Sequence, residues 1–190
     1  MDGQVGREAE RQAELTGQVV GGAHDGETSS AAERLVKLLR DADATAATAE
    51  SLTGGLVGAA FTDIPGVSAV YRGGVIVYAT DLKATLAAVP AGQLAADGPV
   101  HADTAVAMAS GVRERLGATY GLATTGVAGP EPQDGIQAGT VYVAVAGPRG
   151  VKVQRLSLAG DRPAVRRGSV EAVLSLAVEL LEEEQEPSAR

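Results

Sequence analysis

The 190-residue chain is 45% hydrophobic but only 3% aromatic, has no tryptophan, and carries a net charge of −8. It contains no cysteine, which excludes disulfides, thiolate metal sites and cysteine nucleophiles. No charged-then-apolar leader opens it and no apolar run approaches transmembrane length, so the expectation is one cytoplasmic domain with a core of Val, Leu, Ile and Ala. Residues 1–30 hold six acids and two bases, 179–190 hold five acids and one base, and the stretch between is balanced at 13 of each. The acidity belongs to the ends. No basic stripe marks a nucleic-acid partner, and none is expected, nor is a membrane.

In chain order, residues 1–30 are rich in Gly, Gln and Glu without periodicity and read as a disordered extension. Ser30 caps a helix to about Arg40, with Leu35, Val36, Leu38 and Leu39 as its apolar face. Thr45 to Ala49 reads as a strand that feeds a helix to about Thr62, stopped at Ile64-Pro65-Gly66. Val70 to Ala79 reads as a second strand bearing the Gly73-Gly74 pair, a sign of a bulge or close backbone approach. A short helix from Asp81, a loop broken by Pro and Gly, and a helix from about Ala102 to Leu116 follow. Gly121 to Thr124 is a short buried-type strand ending in the loop Thr125 to Pro130. Thr140–Ala146 and Val151–Leu158 form a hairpin across Gly147-Pro148-Arg149-Gly150, and Asp161 caps a last helix to about Leu181. This order predicts an α/β fold of three α/β/α layers around a mixed, mostly parallel sheet over residues 31–182, with 183–190 as an acidic disordered tail.

The stretch Ala49-Glu50-Ser51-Leu52-Thr53-Gly54-Gly55 passes from the first strand into a helix through small residues. Such a turn presents free backbone N–H groups where the helix dipole favours negative charge, with Ser51 and Thr53 hydroxyls beside them. These are the parts of a nucleophile and an oxyanion hole. Helix capping by Ser51 or Thr53 is the simpler account of these seven residues alone. The two histidines do not build a triad: His24 lies in the extension, and His101 precedes a helix as a cap or surface residue. Nothing in the spacing of His and carboxylates marks a metal site. A serine nucleophile here needs a lysine or tyrosine base, and Lys83 and Tyr78 stand near the end of the second strand. Taken singly, each has an ordinary reading as a solvated lysine and a strand-end aromatic.

Taken together, Glu50 to Gly55, Gly73-Gly74-Val75 with Tyr78 and Lys83, Thr125 to Pro130, Gly139-Thr140-Val141-Tyr142 and Gly160-Asp161-Arg162 resemble the C-terminal domain of the CinA family. The motifs are collinear from about residue 31 to 181. The resemblance implies a nicotinamide-nucleotide amidase, which hydrolyses nicotinamide mononucleotide to nicotinate mononucleotide and ammonia without a cofactor or metal. It implies Ser51 as nucleophile, Lys83 as general base, and Tyr78 orienting or relaying the proton. The N–H groups of Thr53, Gly54 and Gly55 are the implied oxyanion donors. Gly73 and Gly74, the Thr125-Gly126 loop and Arg162 are implied substrate or phosphate contacts, with Arg166 assisting from the same helical face. A small pyridine nucleotide is the implied partner, and a homo-oligomer, dimer or higher, the expected assembly.

Two departures from the family pattern stand out. Leu52 occupies a position where the family usually has Cys, which bears on packing. The run Gly129-Pro130-Glu131-Pro132-Gln133-Asp134-Gly135 has less glycine than is usual, and Glu131 and Asp134 add negative charge beside the implied phosphate site. Two alternatives therefore stand beside the amidase: an amidohydrolase for another small amide, and a non-catalytic ligand-binding or interaction module on the same fold.

Overall fold

The computed structural model describes residues 30–185, and the disordered extension expected over residues 1–30 lies almost wholly outside them. Helix α1 (Ala31–Asp41) opens with a capping box in which Ser30 Oγ accepts the Glu33 N–H and the Glu33 carboxylate accepts the Ser30 N–H. Strand β1 (Ala46–Glu50) follows, then α2 (Leu56–Thr62), β2 (Tyr71–Ile76), α3 (Thr80–Ala87), α4 (Ala91–Asp97) and α5 (Ala102–Arg115). Strands β3 (Tyr120–Gly126), β4 (Thr140–Gly147) and β5 (Gly150–Ser157) lead to the long helix α6 (Arg162–Gln185).

The sheet runs β2-β1-β3-β4-β5. Strand β1 is parallel to both of its neighbours, β2 and β3, whereas β3–β4 and β4–β5 are antiparallel. The α/β fold with a mixed sheet is as the sequence predicts, with parallel and antiparallel pairings in equal number where mostly parallel ones were expected. Residue size explains how the layers close. On β4, Val141, Val143 and Val145 point into a core with Leu35, Leu39, Phe61 and Leu181 from α1, α2 and α6. Ala144 and Ala146 point the other way, toward Met108 and Val112 of α5. That second face is lined by small residues because α5 comes close: a side chain at Gly121 would overlap the Ala109 carbonyl.

Three boundaries differ from expectation. Strand β2 stops at Ile76, and one further backbone bond, from Val77 N–H to the Glu50 carbonyl at 2.8 Å, carries the chain toward α3. The segment read as a broken loop holds α4, a helix of seven residues whose start at Pro90 and end at Gly98 are the same breaks that hid it. The acidic run from residue 183 is helical as far as Gln185. Ion pairs and a hydrogen bond hold it: Glu182 pairs with Arg34, Glu183 with Lys152, and Glu184 accepts from the Tyr120 hydroxyl at 2.7 Å. No helix among the described residues is long and apolar enough to cross a membrane.

Candidate active site

From β1 the chain passes by α2 to β2 on one side, and then by α3–α5 to β3 on the other. Ligands of open α/β sheets settle in the crevice beyond the strand carboxyl ends at such a reversal. Ser51 directly follows β1 there, with its N–H bonded to the Thr124 carbonyl of β3 at 3.0 Å.

The turn after Ser51 is built around a buried anion. Glu50 is 2% exposed and no cation contacts it among the described residues. Its Oε2 accepts from Thr53 Oγ1 at 2.7 Å, Gly55 N–H at 2.9 Å and Val57 N–H at 3.0 Å, and its Oε1 from Gly58 N–H at 2.8 Å. Folding the backbone over this carboxylate requires positive φ at Gly54 and Gly55, +58° and +99°. A β-carbon on Gly58 would overlap the Tyr71 hydroxyl and rest against Glu50 Oε1, so the helix start packs closely here. Thr53 Oγ1 also lies 2.8 Å from Thr124 Oγ1, which ties the turn to β3 a second time.

This arrangement overturns two expectations. Neither Ser51 nor Thr53 caps α2; the N-cap is Gly55, without a side-chain bond. The oxyanion donors also shift. Gly55 N–H goes to Glu50, and Gly54 N–H goes to the Ser51 carbonyl at 3.2 Å. The N–H groups of Leu52 and Thr53 have no acceptor among the described residues. Of the three implied donors only Thr53 keeps an N–H without an acceptor among the described residues, as does Leu52, valued in the sequence only for its side chain.

Lys83 reaches the turn from α3. It is 1% exposed, and its Nζ donates to Ser51 Oγ at 3.0 Å, to the Val77 carbonyl at 2.9 Å and to the Tyr78 carbonyl at 3.4 Å. Burial disfavours its charged form and lowers its pKa from 10.5 to about 8. Ser51 is itself 7% exposed. The two lie on the floor of a cleft with a cavity volume of about 110 Å³. Tyr78, Thr125, Gly126, Gly129, Glu131 and Arg162 contribute to its walls.

The implied residues are distributed unequally. Tyr78 brings its backbone to Lys83, but the residue is 61% exposed and its hydroxyl accepts from Arg162 Nη2 at 2.9 Å, so the expected relay between Tyr78 and the Ser–Lys pair is not formed in this geometry. Arg162 also donates through Nη1 to the Gly129 carbonyl at 2.9 Å and bridges two walls of the cleft. Thr125 donates its hydroxyl to the Pro99 carbonyl at 2.6 Å, and in that loop the N–H groups of Ala128 and Gly129 have no acceptor among the described residues. Gly73 and Gly74 sit in β2 and do not line the cleft; a side chain at Gly74 would overlap Thr48 Oγ1, so packing explains at least the second glycine. Arg166 does not line the cleft either, and donates to the Leu52 and Thr53 carbonyls. His101 caps α5 as expected, with Nδ1 accepting from Asp103 N–H at 3.3 Å. Asp97, His101 and Asp103 bring one potential ligand atom each within 4.8 Å of one another, a grouping the sequence spacing did not suggest.

The fold and site define an α/β protein with a buried serine–lysine pair at a sheet reversal. The chain belongs to the CinA family: residues 28–181 match the CinA C-terminal domain. A CinA-like protein from Frankia casuarinae is 49% identical over 160 residues, 84% of this chain and 37% of the relative. A CinA-like protein from Myxococcus xanthus is 46% identical over 137 residues, 70% of this chain and 32% of the relative. The chain thus spans about a third of these curated relatives. Among solved structures, a competence-damaged protein (CinA) superfamily protein from Klebsiella pneumoniae superposes with a TM-score of 0.78 at 30% identity, covering 80% of this chain and 96% of that one. The competence/damage inducible protein CihA from Agrobacterium tumefaciens gives 0.75 at 29% identity, covering 83% and 99%.

Removing the buried anion tests how the turn is held. Glu50→Ala leaves three N–H groups without their acceptor and the Thr53 hydroxyl with Thr124 alone, and is expected to cost on the order of 3 kcal/mol or more. Urea unfolding measures it; a loss below about 1 kcal/mol would mean that water or the backbone replaces the carboxylate.

Proposed function

We propose that this chain is an amidohydrolase that converts nicotinamide mononucleotide to nicotinate mononucleotide and ammonia. The observation that carries the reading is the 3.0 Å contact between Lys83 Nζ and Ser51 Oγ on the floor of a cleft. A neutral lysine has two hydrogens, and the Val77 and Tyr78 carbonyls can accept both, which leaves the lone pair facing the serine hydroxyl. In the proposed reaction Ser51 Oγ attacks the amide carbon while its proton passes to Lys83. The new oxyanion is held by the N–H groups of Leu52 and Thr53. Collapse breaks the C–N bond, Lys83 returns the proton to the leaving nitrogen as ammonia departs, and water then hydrolyses the ester with Lys83 again as base.

Arg162 and the N–H groups of Ala128 and Gly129 are the proposed phosphate contacts at the far wall. A second reading has one observation in its favour: Glu131 also lines the cleft. A carboxylate there disfavours a phosphate and suits an unphosphorylated amide. Ammonia release from the mononucleotide, its riboside and other small amides separates the two.

Ser51→Ala is expected to fold normally and to lower ammonia release by on the order of 10³-fold or more. Near-normal turnover by the folded variant would sink the proposal.

The pH dependence follows from Lys83. A base must be neutral, and a pKa near 8 makes the neutral fraction grow tenfold per pH unit below that value. kcat/KM is expected to rise with unit slope and level off above about pH 8. A flat profile from pH 6 to 9 would remove Lys83 from the proton transfer.

Arg162→Ala is expected to raise KM for the mononucleotide roughly 10- to 150-fold, the worth of a charged hydrogen bond, with a smaller effect on kcat. The riboside should be a poor substrate and indifferent to the change. If the wild type handles riboside and mononucleotide equally, the second reading replaces the first.

A further inference from the structure

Arg166 stands four residues after Arg162 but serves a different end of the chemistry. Its Nε donates to the Leu52 carbonyl at 3.0 Å and its Nη2 to the Thr53 carbonyl at 2.6 Å. A guanidinium that holds an amide carbonyl draws electron density along the C–N bond, so the N–H of the same amide becomes a stronger donor. The Leu52 carbonyl shares its amide with Thr53 N–H, and the effect there is direct. The Thr53 carbonyl shares its amide with Gly54 N–H, which donates to the Ser51 carbonyl at 3.2 Å. The Ser51 carbonyl in turn shares its amide with Leu52 N–H. The two contacts therefore converge, one through a single amide and one through two in series, on the pair of N–H groups beside Ser51 that lack an acceptor among the described residues.

We infer that Arg166 is a positioning residue of the oxyanion hole, fixing the Leu52 and Thr53 amides and strengthening them as donors without touching the substrate. The inference rests on Ser51 being the nucleophile. It assigns to Arg166 a role distinct from phosphate binding, and it explains why a half-buried arginine of α6 is spent on two backbone carbonyls. Glu50 and Arg166 then divide the turn: the anion gathers the N–H groups of α2, and the cation gathers the carbonyls of the residues before it.

Three measurements on wild type, Arg166→Ala and Arg166→Lys test this. The first is labelling by a phosphonofluoridate: Ser51 Oγ bonds to phosphorus, the P–F bond breaks, fluoride leaves, Lys83 takes the serine proton, and the phosphoryl oxygen occupies the hole. Arg166→Ala should slow labelling about 10- to 100-fold, somewhat less than deleting a donor outright, and Arg166→Lys should recover part of the loss. The second is turnover, in which Arg166→Ala should lower kcat for the mononucleotide and the riboside by equal factors, with KM within about threefold of wild type. The third is the amide 15N spectrum, in which Thr53 and Leu52 should move upfield in Arg166→Ala while Gly58, held by Glu50, stays in place. Labelling of folded Arg166→Ala at the wild-type rate overturns the inference, as does a KM effect confined to the phosphorylated substrate. Equal movement of Gly58 and Thr53 overturns it too, because the turn would then have loosened as a whole. Wild-type protein that resists labelling altogether overturns the nucleophile reading first and the inference with it.

Discussion

The site depends on one buried negative charge. Glu50 has left water without a cationic partner in contact, so its solvation must be replaced by hydrogen bonds alone. Four donors supply them, three from the backbone of a single turn and one from Thr53. Those donors can converge only if the chain doubles back through left-handed geometry, which the two glycines permit at little cost. The position of Ser51 is a consequence. Ser51 is anchored to β3 by its own N–H on one side and to the Glu50 cradle on the other, before Lys83 makes any contact with it.

The same demand decides where an anion from outside can bind. A free helix N-terminus attracts negative charge, and the start of α2 invites that reading. Here the helix start is already occupied by Glu50. The donors left over belong to Leu52 and Thr53, between the cradle and the serine. In the proposed mechanism, stabilisation of an oxyanion therefore falls to two peptide groups held from behind, a preorganised arrangement that needs no reorganisation as charge develops.

Lys83 shows the stability cost of this design. Its pKa is lower folded than unfolded, so between about pH 8 and 10.5 the unfolded chain binds more protons and the fold gains stability as pH rises. Below pH 8 the whole penalty of holding a desolvated ammonium is present. At neutral pH about a tenth of the molecules carry the neutral amine that the proposed general base would need. Three acceptors around Nζ reduce the penalty without removing it, and the amine stays within one pH unit of readiness.

What the sequence revealed and concealed follows from the range of each interaction. The helix caps at Ser30 and Asp161 and the hairpin across Pro148 depend on neighbours within a few positions, and they were legible. The pairing of Ser51 with Lys83 spans 32 residues and was reached through collinear motifs, because spacing alone cannot bring a strand end and a helix together. The misplaced contributions are those in which a side chain acts on backbone. Arg166 and the Leu52 carbonyl are 114 residues apart, and a guanidinium directed at carbonyls leaves no trace in hydrophobic pattern or charge spacing. Glu50 was visible as a letter of the motif, but its task of consuming the N–H groups of α2 emerges only when each donor's acceptor is accounted for. That accounting also explains the two arginines of α6: spaced one turn apart on one helix, they meet different chemistry because Arg162 faces the cleft wall at Gly129 while Arg166 meets the carbonyls that the Glu50 turn leaves exposed.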